Sequence, residues 1–430
     1  MFAHRISSTA AITSLVLLVA HVQPAQGQEG RGAPPVEDLV AEALEKTPSV
    51  AALEARLQAA QEMVEPAAAL PDPMVEGMLQ NAGATSFTVG KEEMSMAGVQ
   101  VAQGLLFPGK RSARRSAAEA DVAVRQAEVE SLRRQVASAI RSLYGRLFAI
   151  DYEARSILSG RELLDLLSTT VASRYSAGEA EQEAVVKAQL ESSRLAERAT
   201  DLEAERRAVV AGFNRLLDRP GDAEMGEVAD LPAVEVPAGD WQALAISRAP
   251  EIGVKEAAVR AAERRLDAAR TELKPNFTVA AGAASRRDLD PVVTLRVGIE
   301  LPLWRRHKQE PMVRAGAQDV EMARHELADA RATARSDAAR LRAEWDRSES
   351  QLVRYREAIA PQASAAIDAA RASYLAGRGD FSTVIEDFNL WLDARAELAR
   401  RQSERFATWA ELAALLDLER PAGHAPEVQP

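Results

Sequence analysis

From Val122 to Val171 an apolar residue returns at every seventh position: Val122, Val129, Val136, Leu143, Ile150, Ile157, Leu164 and Val171. In a helix this spacing holds one seam toward a partner and drives left-handed supercoiling. It predicts a single helix from about Arg111 to Ser176, ~100 Å long at ~1.5 Å per residue. Leu195, Leu202, Val209 and Leu216 keep the spacing on a returning segment, and Val313, Val320, Leu327, Ala334 and Leu341 keep it farther along. These seams predict antiparallel coiled-coil hairpins; their residues are packing and carry no chemistry.

Elsewhere the period falls to two. In the stretch Val293 to Leu301, large apolar residues alternate with Thr294, Arg296, Gly298 and Glu300, which sets a greasy face against a polar one. Such a run suits a tilted transmembrane strand. A second strand is expected from about Ala97 to Leu105, where Val99, Val101 and Leu105 alternate with Gly98, Gln100 and Gly104. Segments near Met74 to Asn81 and Asn276 to Ala284 complete a pair of hairpins. Natural membrane barrels begin at about eight strands, so four strands per chain require several chains, and three times four gives twelve.

The chain is also duplicated. Ala43–Val50 is echoed by Ala245–Ile252 at an offset of 202, and Ser173–Gly178 by Ala372–Gly377 at an offset of 199. Each copy reads helix, two strands, long helix, tight turn, returning helix, and its opening helical stretch is expected to end at Pro66 or Pro275. The division that follows is a signal at 1–27, a first repeat at 28–217, an inter-repeat segment at 218–240, a second repeat at 241–418 and a tail at 419–430. The signal is read from His4 and Arg5, the apolar run Ala10 to Val22 and the small residues of Ala25-Gln26-Gly27. That run is shorter than the ~20 residues of a spanning helix, which favours cleavage over an anchor.

Composition narrows the function. With 47% hydrophobic but only 4% aromatic residues, the chain suits long helices. Its 53 Lys and Arg against 64 Asp and Glu give a net charge of -11, which excludes a sequence-independent grip on nucleic acid. The absence of cysteine removes disulfides, thiolate chemistry and a lipid-acceptor cysteine. Beyond the signal only His307, His325 and His424 remain, no two at a metal-ligand spacing, and no phosphate-cradling glycine loop follows a strand. The sequence therefore points to no catalytic residue, no metal site and no cofactor. Met74, Met78, Met94 and Met96 read as filling for apolar surface before they read as soft-metal contacts.

The duplicated order and the Tyr-x-x-Gly turn in both copies (Tyr175 with Gly178, Tyr374 with Gly377) resemble the TolC family of outer-membrane factors over roughly residues 36 to 418. Leu70-Pro71-Asp72-Pro73-Met74 and Phe107-Pro108-Gly109-Lys110-Arg111 are similar to the heavy-metal branch, the CzcC and CusC-type proteins. The resemblance implies a mainly α, TolC-like fold. Three chains would form a twelve-stranded β-barrel in the outer membrane of a Gram-negative bacterium, continued by a periplasmic α-barrel. It implies a passive efflux duct in contact with outer-membrane lipid, with a periplasmic adaptor and an inner-membrane pump of the RND type docking at the turns around Tyr175, Gly178, Tyr374 and Gly377. Acidic residues crowd that tip: Glu179, Glu181 and Glu183 after the first turn, Asp380, Glu386 and Asp387 after the second. Glu183, Glu386 and Asp387 are the candidates for an acidic aperture. A solvated helix face is the competing reading for Glu386 and the ordinary one for Glu179, Glu181 and Asp380. Two other functions fit parts of the pattern: a duct for drug export or type I protein secretion, and a secreted or cytoplasmic coiled-coil scaffold with no pore.

Overall fold

The structure is a computed structural model that describes residues 32–81, 94–286 and 289–418. The expected signal at 1–27 and the tail at 419–430 lie outside the described residues. The described residues open on three helices: α1 (Val36–Lys46), α2 (Pro48–Glu62) and α3 (Val64–Ala68). Pro66 does not end this stretch, as the sequence suggested, but breaks it earlier. A proline ring collides with the carbonyl four residues back, here that of Glu62, and α2 stops at that residue.

Strands β1 (Met74–Gln80) and β2 (Met96–Leu105) follow, then α4 (Lys110–Ser176), a 67-residue helix over which the seven-residue spacing ran. Of its seam, Val129, Val136, Ile150, Ile157, Leu164 and Val171 are buried. Helix α5 (Gln182–Leu216) returns along it with Leu195, Leu202, Val209 and Leu216 buried. After an irregular segment come α6 (Trp241–Arg248), α7 (Pro250–Thr271), β3 (Asn276–Arg286) and β4 (Leu289–Glu300). The second long helix is interrupted. Helix α8 (Gln309–Arg354) gives way to a π-turn at Tyr355–Ile359 before α9 (Ala360–Leu375). Pro361 has no N–H and crowds the carbonyl of Glu357, and the ladder widens there, with the Ala360 amide reaching back to the Tyr355 carbonyl. Helix α10 (Phe381–Leu415) returns, and like α5 it has 35 residues.

Charge is buried along the hairpins only where it is matched. Glu153 is held by Arg198 at 2.7 Å and Arg400 at 3.1 Å. Asp151 accepts from Arg206 at 2.7 Å and from the Val228 amide at 2.9 Å, and so ties the irregular segment to α4. Burial nevertheless pushes the Asp151 carboxyl up from its ordinary value.

All four strands form one antiparallel sheet in the order β1-β2-β3-β4. The two expected hairpins are thus joined through β2 and β3, from Ala97 opposite Ser285 to Leu105 opposite Phe277. Among the described residues, strands β1 and β4 are the open edges of this sheet.

The seam yields a direct test. Leu164→Ala empties a fully buried position and should destabilise the protein by about 2–5 kcal/mol, whereas Leu158→Ala, at an exposed position of the same helix, should stay within about 0.5 kcal/mol. Equal losses in thermal unfolding followed by circular dichroism would mean that the seam does not face a partner.

Candidate functional site

Two regions stand out, the sheet and the helical tip. In the sheet, the register places all even-numbered residues up to the bulge at Ala284/Arg286 on one face and the odd-numbered ones on the other. The odd face carries Val75, Leu79, Val99, Val101, Val297 and Ile299, and these side chains are exposed. Val293 is 80% exposed, Leu295 75%, Val297 67% and Ile299 59%. A ladder of large apolar side chains this open to water is what a lipid-facing strand requires and what a soluble hairpin avoids. Among the described residues no helix is long and apolar enough to cross a membrane.

The even face is polar and crowded. Glu76 accepts from Gln100 Nε2 at 2.7 Å, and Asn276 Nδ2 donates to Glu300 at 3.3 Å. A Cβ at Gly98 would fall 2.5 Å from the Ala283 carbonyl oxygen, and one at Gly282 would fall 2.7 Å from Gln100 Cβ. Only the smallest residues fit between these strands at these two positions. Met74, Met78 and Met96 share that polar face rather than filling the apolar one.

The sheet is pinned to the helices through the stretches 70–74 and 107–111. Lys110, 1% exposed, donates to Glu272 at 3.1 Å and to Asn276 Oδ1 at 2.9 Å, while Arg114 holds the other Glu272 oxygen at 2.6 Å. Burial alone would raise the Glu272 carboxyl, but the hydrogen bonds from Arg114 and Lys110 outweigh it and hold the group below its usual range. The Pro71 carbonyl accepts from Gln103, and Phe107 stacks on Phe277.

At the far end the tight turns close α4 onto α5 and α9 onto α10. Gly178 (φ 75°) and Gly377 (φ 74°) both take the left-handed conformation. In the first turn Glu179 N donates to Arg174 O at 2.8 Å and Gly178 N to Tyr175 O at 3.0 Å. The second repeats the pair, with Arg378 N to Ser373 O and Gly377 N to Tyr374 O at 3.0 Å each. These paired bonds satisfy the last helical carbonyls, and glycine supplies the backbone angle without steric cost.

The two turns meet in one hollow lined by Arg174, Gly178, Glu183, Tyr374, Gly377 and Asp380, among others. Arg174 bridges them: it donates to the Tyr374 carbonyl at 2.7 Å and lies 5.0 Å from the Tyr374 ring centroid. The paired tyrosines part company here. Tyr374 is buried against Phe381, and burial pushes its phenol up, whereas Tyr175 points outward because Gln182 stands where the second copy has Phe381. Asp380 caps α10 by accepting from Ser382 N. Glu183 is spent on Lys187 at 2.7 Å, and Lys187 also donates to Ser382 Oγ at 2.6 Å. The hydrogen bond to Glu183 chiefly raises the Lys187 ammonium, with Asp380 and Glu386 adding to the pull. Glu386 lies exposed, away from buried Val384 and Phe388, and Asp387 is half-buried. Sequence reasoning missed Arg174 and Lys187. The signal was in the offset of 199, which sets Arg174 opposite Ser373 and Lys187 opposite Glu386.

Residues 241–417 match the family described as "Outer membrane efflux protein". The sequence matches none of the curated proteins. Among solved structures, the fold is similar to the outer-membrane channel OprN (17% identity, 89% of each chain covered, TM-score 0.76). It is similar to the outer membrane protein VceC of Vibrio cholerae (16%, 89% of this chain and 95% of that one, 0.74). It is also similar to CusC (15%, 91% and 95%, 0.77). At these identities the likeness establishes a TolC-like fold.

Two glycines with open space around them separate conformation from packing. Gly178→Ala forces a left-handed alanine and should cost about 1–2 kcal/mol. Gly253→Ala, in the interior of α7 with no contact to make, should stabilise by about 0.4–1 kcal/mol. Amide exchange should quicken around residues 173–182 in the first variant alone. Unchanged exchange there would show that the turn does not need glycine.

Proposed function

We propose that the chain is one subunit of a homotrimeric outer-membrane efflux duct, a passive channel and not an enzyme. The observation that carries this reading is the sheet: a four-stranded sheet with two open edges, one bare apolar face and one polar face. Unpaired backbone groups at a strand edge are prohibitively costly in hydrocarbon. Joining β4 of one chain to β1 of the next removes the edges, and three chains make a closed barrel with lipid against the odd face and water against the even one. The helices continue it as a periplasmic tunnel in a Gram-negative envelope. The match of residues 241–417 to the efflux family supports the same reading.

In this arrangement the turns at Gly178 and Gly377 are the docking end for a periplasmic adaptor and an inner-membrane pump of the RND type. Glu386 supplies an acidic ring at the aperture. Glu183 contributes less to it because Lys187 neutralises it, and Asp387 less because it is half-buried. Heavy-metal cations are the cargo suggested by residues 70–74 and 107–111. Both stretches have a structural task where sheet meets helix, so they support the family more than the cargo.

The lipid-facing assignment predicts opposite outcomes for neighbouring residues. Leu295→Arg should cost about 2–4 kcal/mol in the bilayer and deplete heat-modifiable oligomer from the outer-membrane fraction. Thr294→Arg, on the even face, should leave oligomer yield intact and alter conductance. Equal tolerance of both would contradict the barrel. For the aperture, Glu386→Gln should lower cation over anion selectivity in planar bilayers more than Asp387→Asn does, with trimer yield unchanged. If neither changes selectivity, the tip acids are a solvated surface.

A further inference from the structure

The segment that leaves β4, Leu301 to Lys308, is treated differently from its counterpart in the first copy. Between β2 and α4 the aromatic and the cation turn inward: Phe107 stacks on Phe277, and Lys110 is buried against Glu272. Between β4 and α8 they turn outward. Leu303 is 77% exposed and Trp304 75%, and Arg306, His307 and Lys308 are exposed beside them. Arg305 is taken by Glu310 at 2.9 Å, but among the described residues neither Arg306 nor Lys308 has an ion-pair partner.

This outward display is fixed rather than loose. Leu303 N donates to Leu301 O at 2.8 Å, Arg305 N to Pro302 O at 3.2 Å, and both His307 N and Lys308 N reach the Trp304 carbonyl, at 2.9 and 3.0 Å. Leu301 keeps the odd parity of Val297 and Ile299, and Leu303 and Trp304, both exposed, follow it in the turn that leaves the strand. The end of β4 is also the end that meets the helices, which under the duct reading is the periplasmic boundary of the hydrocarbon.

We propose that Leu301, Leu303 and Trp304 seat in the periplasmic leaflet of the outer membrane and that Arg306 and Lys308 select anionic phospholipid headgroups there. The proposal rests on the duct reading. Tryptophan suits a membrane boundary because its ring is apolar and its N–H polar. Unpaired cations just outside the hydrocarbon attract anionic headgroups and are not claimed by the protein itself. Charge complementarity commits the surface to anionic lipid rather than to a basic or neutral partner.

The test uses the full-length trimer reconstituted into phosphatidylcholine vesicles that contain a minor share of lipid with brominated chains, either phosphatidylglycerol or phosphatidylcholine. The chain has five tryptophans, so Trp304 quenching is taken as the difference between wild type and Trp304→Phe. Brominated phosphatidylglycerol should quench Trp304 more strongly than brominated phosphatidylcholine at equal mole fraction. The preference should fall roughly fivefold for each of Arg306→Gln and Lys308→Gln, and high salt should erase it. Equal quenching by the two lipids would overturn headgroup selection. No quenching by either, in vesicles whose conductance shows open channels, would place Trp304 away from lipid, for example under a neighbouring protomer. That result would overturn the proposal and leave the duct standing. A protein that neither inserts nor conducts would bring down the duct reading itself, and this proposal with it.

Discussion

Backbone hydrogen bonding governs this structure more than any side-chain contact does. A sheet whose apolar face is open needs a nonaqueous surrounding, and in that surrounding its two edge strands need partners. Neither need is met within one chain, because β1 and β4 end the sheet. The small residues on the even face suit the proposed closure, which would crowd that face: at Gly98 and Gly282 even a Cβ would collide. Polar residues on one face and bare apolar ones on the other are sorted by the register alone.

The helices answer a different problem, that of holding long antiparallel hairpins together with little aromatic mass. Their seams bury Val, Ile and Leu at intervals of seven, and between the seams the interfaces are tied by matched charge. Glu153 with two arginines and Asp151 with Arg206 are buried because each carboxylate has partners on neighbouring elements. Removing one partner would leave a desolvated charge, which costs far more than the pair contributes. Lys110 and Glu272 do the same at the join of sheet and helices, where the chain changes from a two-residue to a seven-residue period within a few positions.

Much of this was legible because both periods are local. The seam of α4 and the alternation of β4 each repeat often enough to be read without tertiary knowledge. Pairing of β2 with β3 was not, since Leu105 and Phe277 are far apart in sequence and nothing local names the partner. The π-turn before Pro361 was not foreseen, because the seam of that segment was read only from Val313 to Leu341 and the helix carries on past Pro361. At the tip, the turn glycines were visible as a repeated motif, but Arg174 and Lys187 lay unnoticed among many surface charges, and the different fates of Tyr175 and Tyr374 depend on a single exchange, Gln182 for Phe381. Reading the two copies against each other, position by position, would have exposed all three.

Closure of the sheet by three chains is the claim on which the lumen, the lipid face and the acidic ring all depend. Native mass spectrometry of the mature protein extracted from membranes in detergent measures it directly. A dominant species of three copies, dissociating to single chains only on denaturation, is the predicted result. A monomer that stays in the aqueous fraction without detergent would contradict the account.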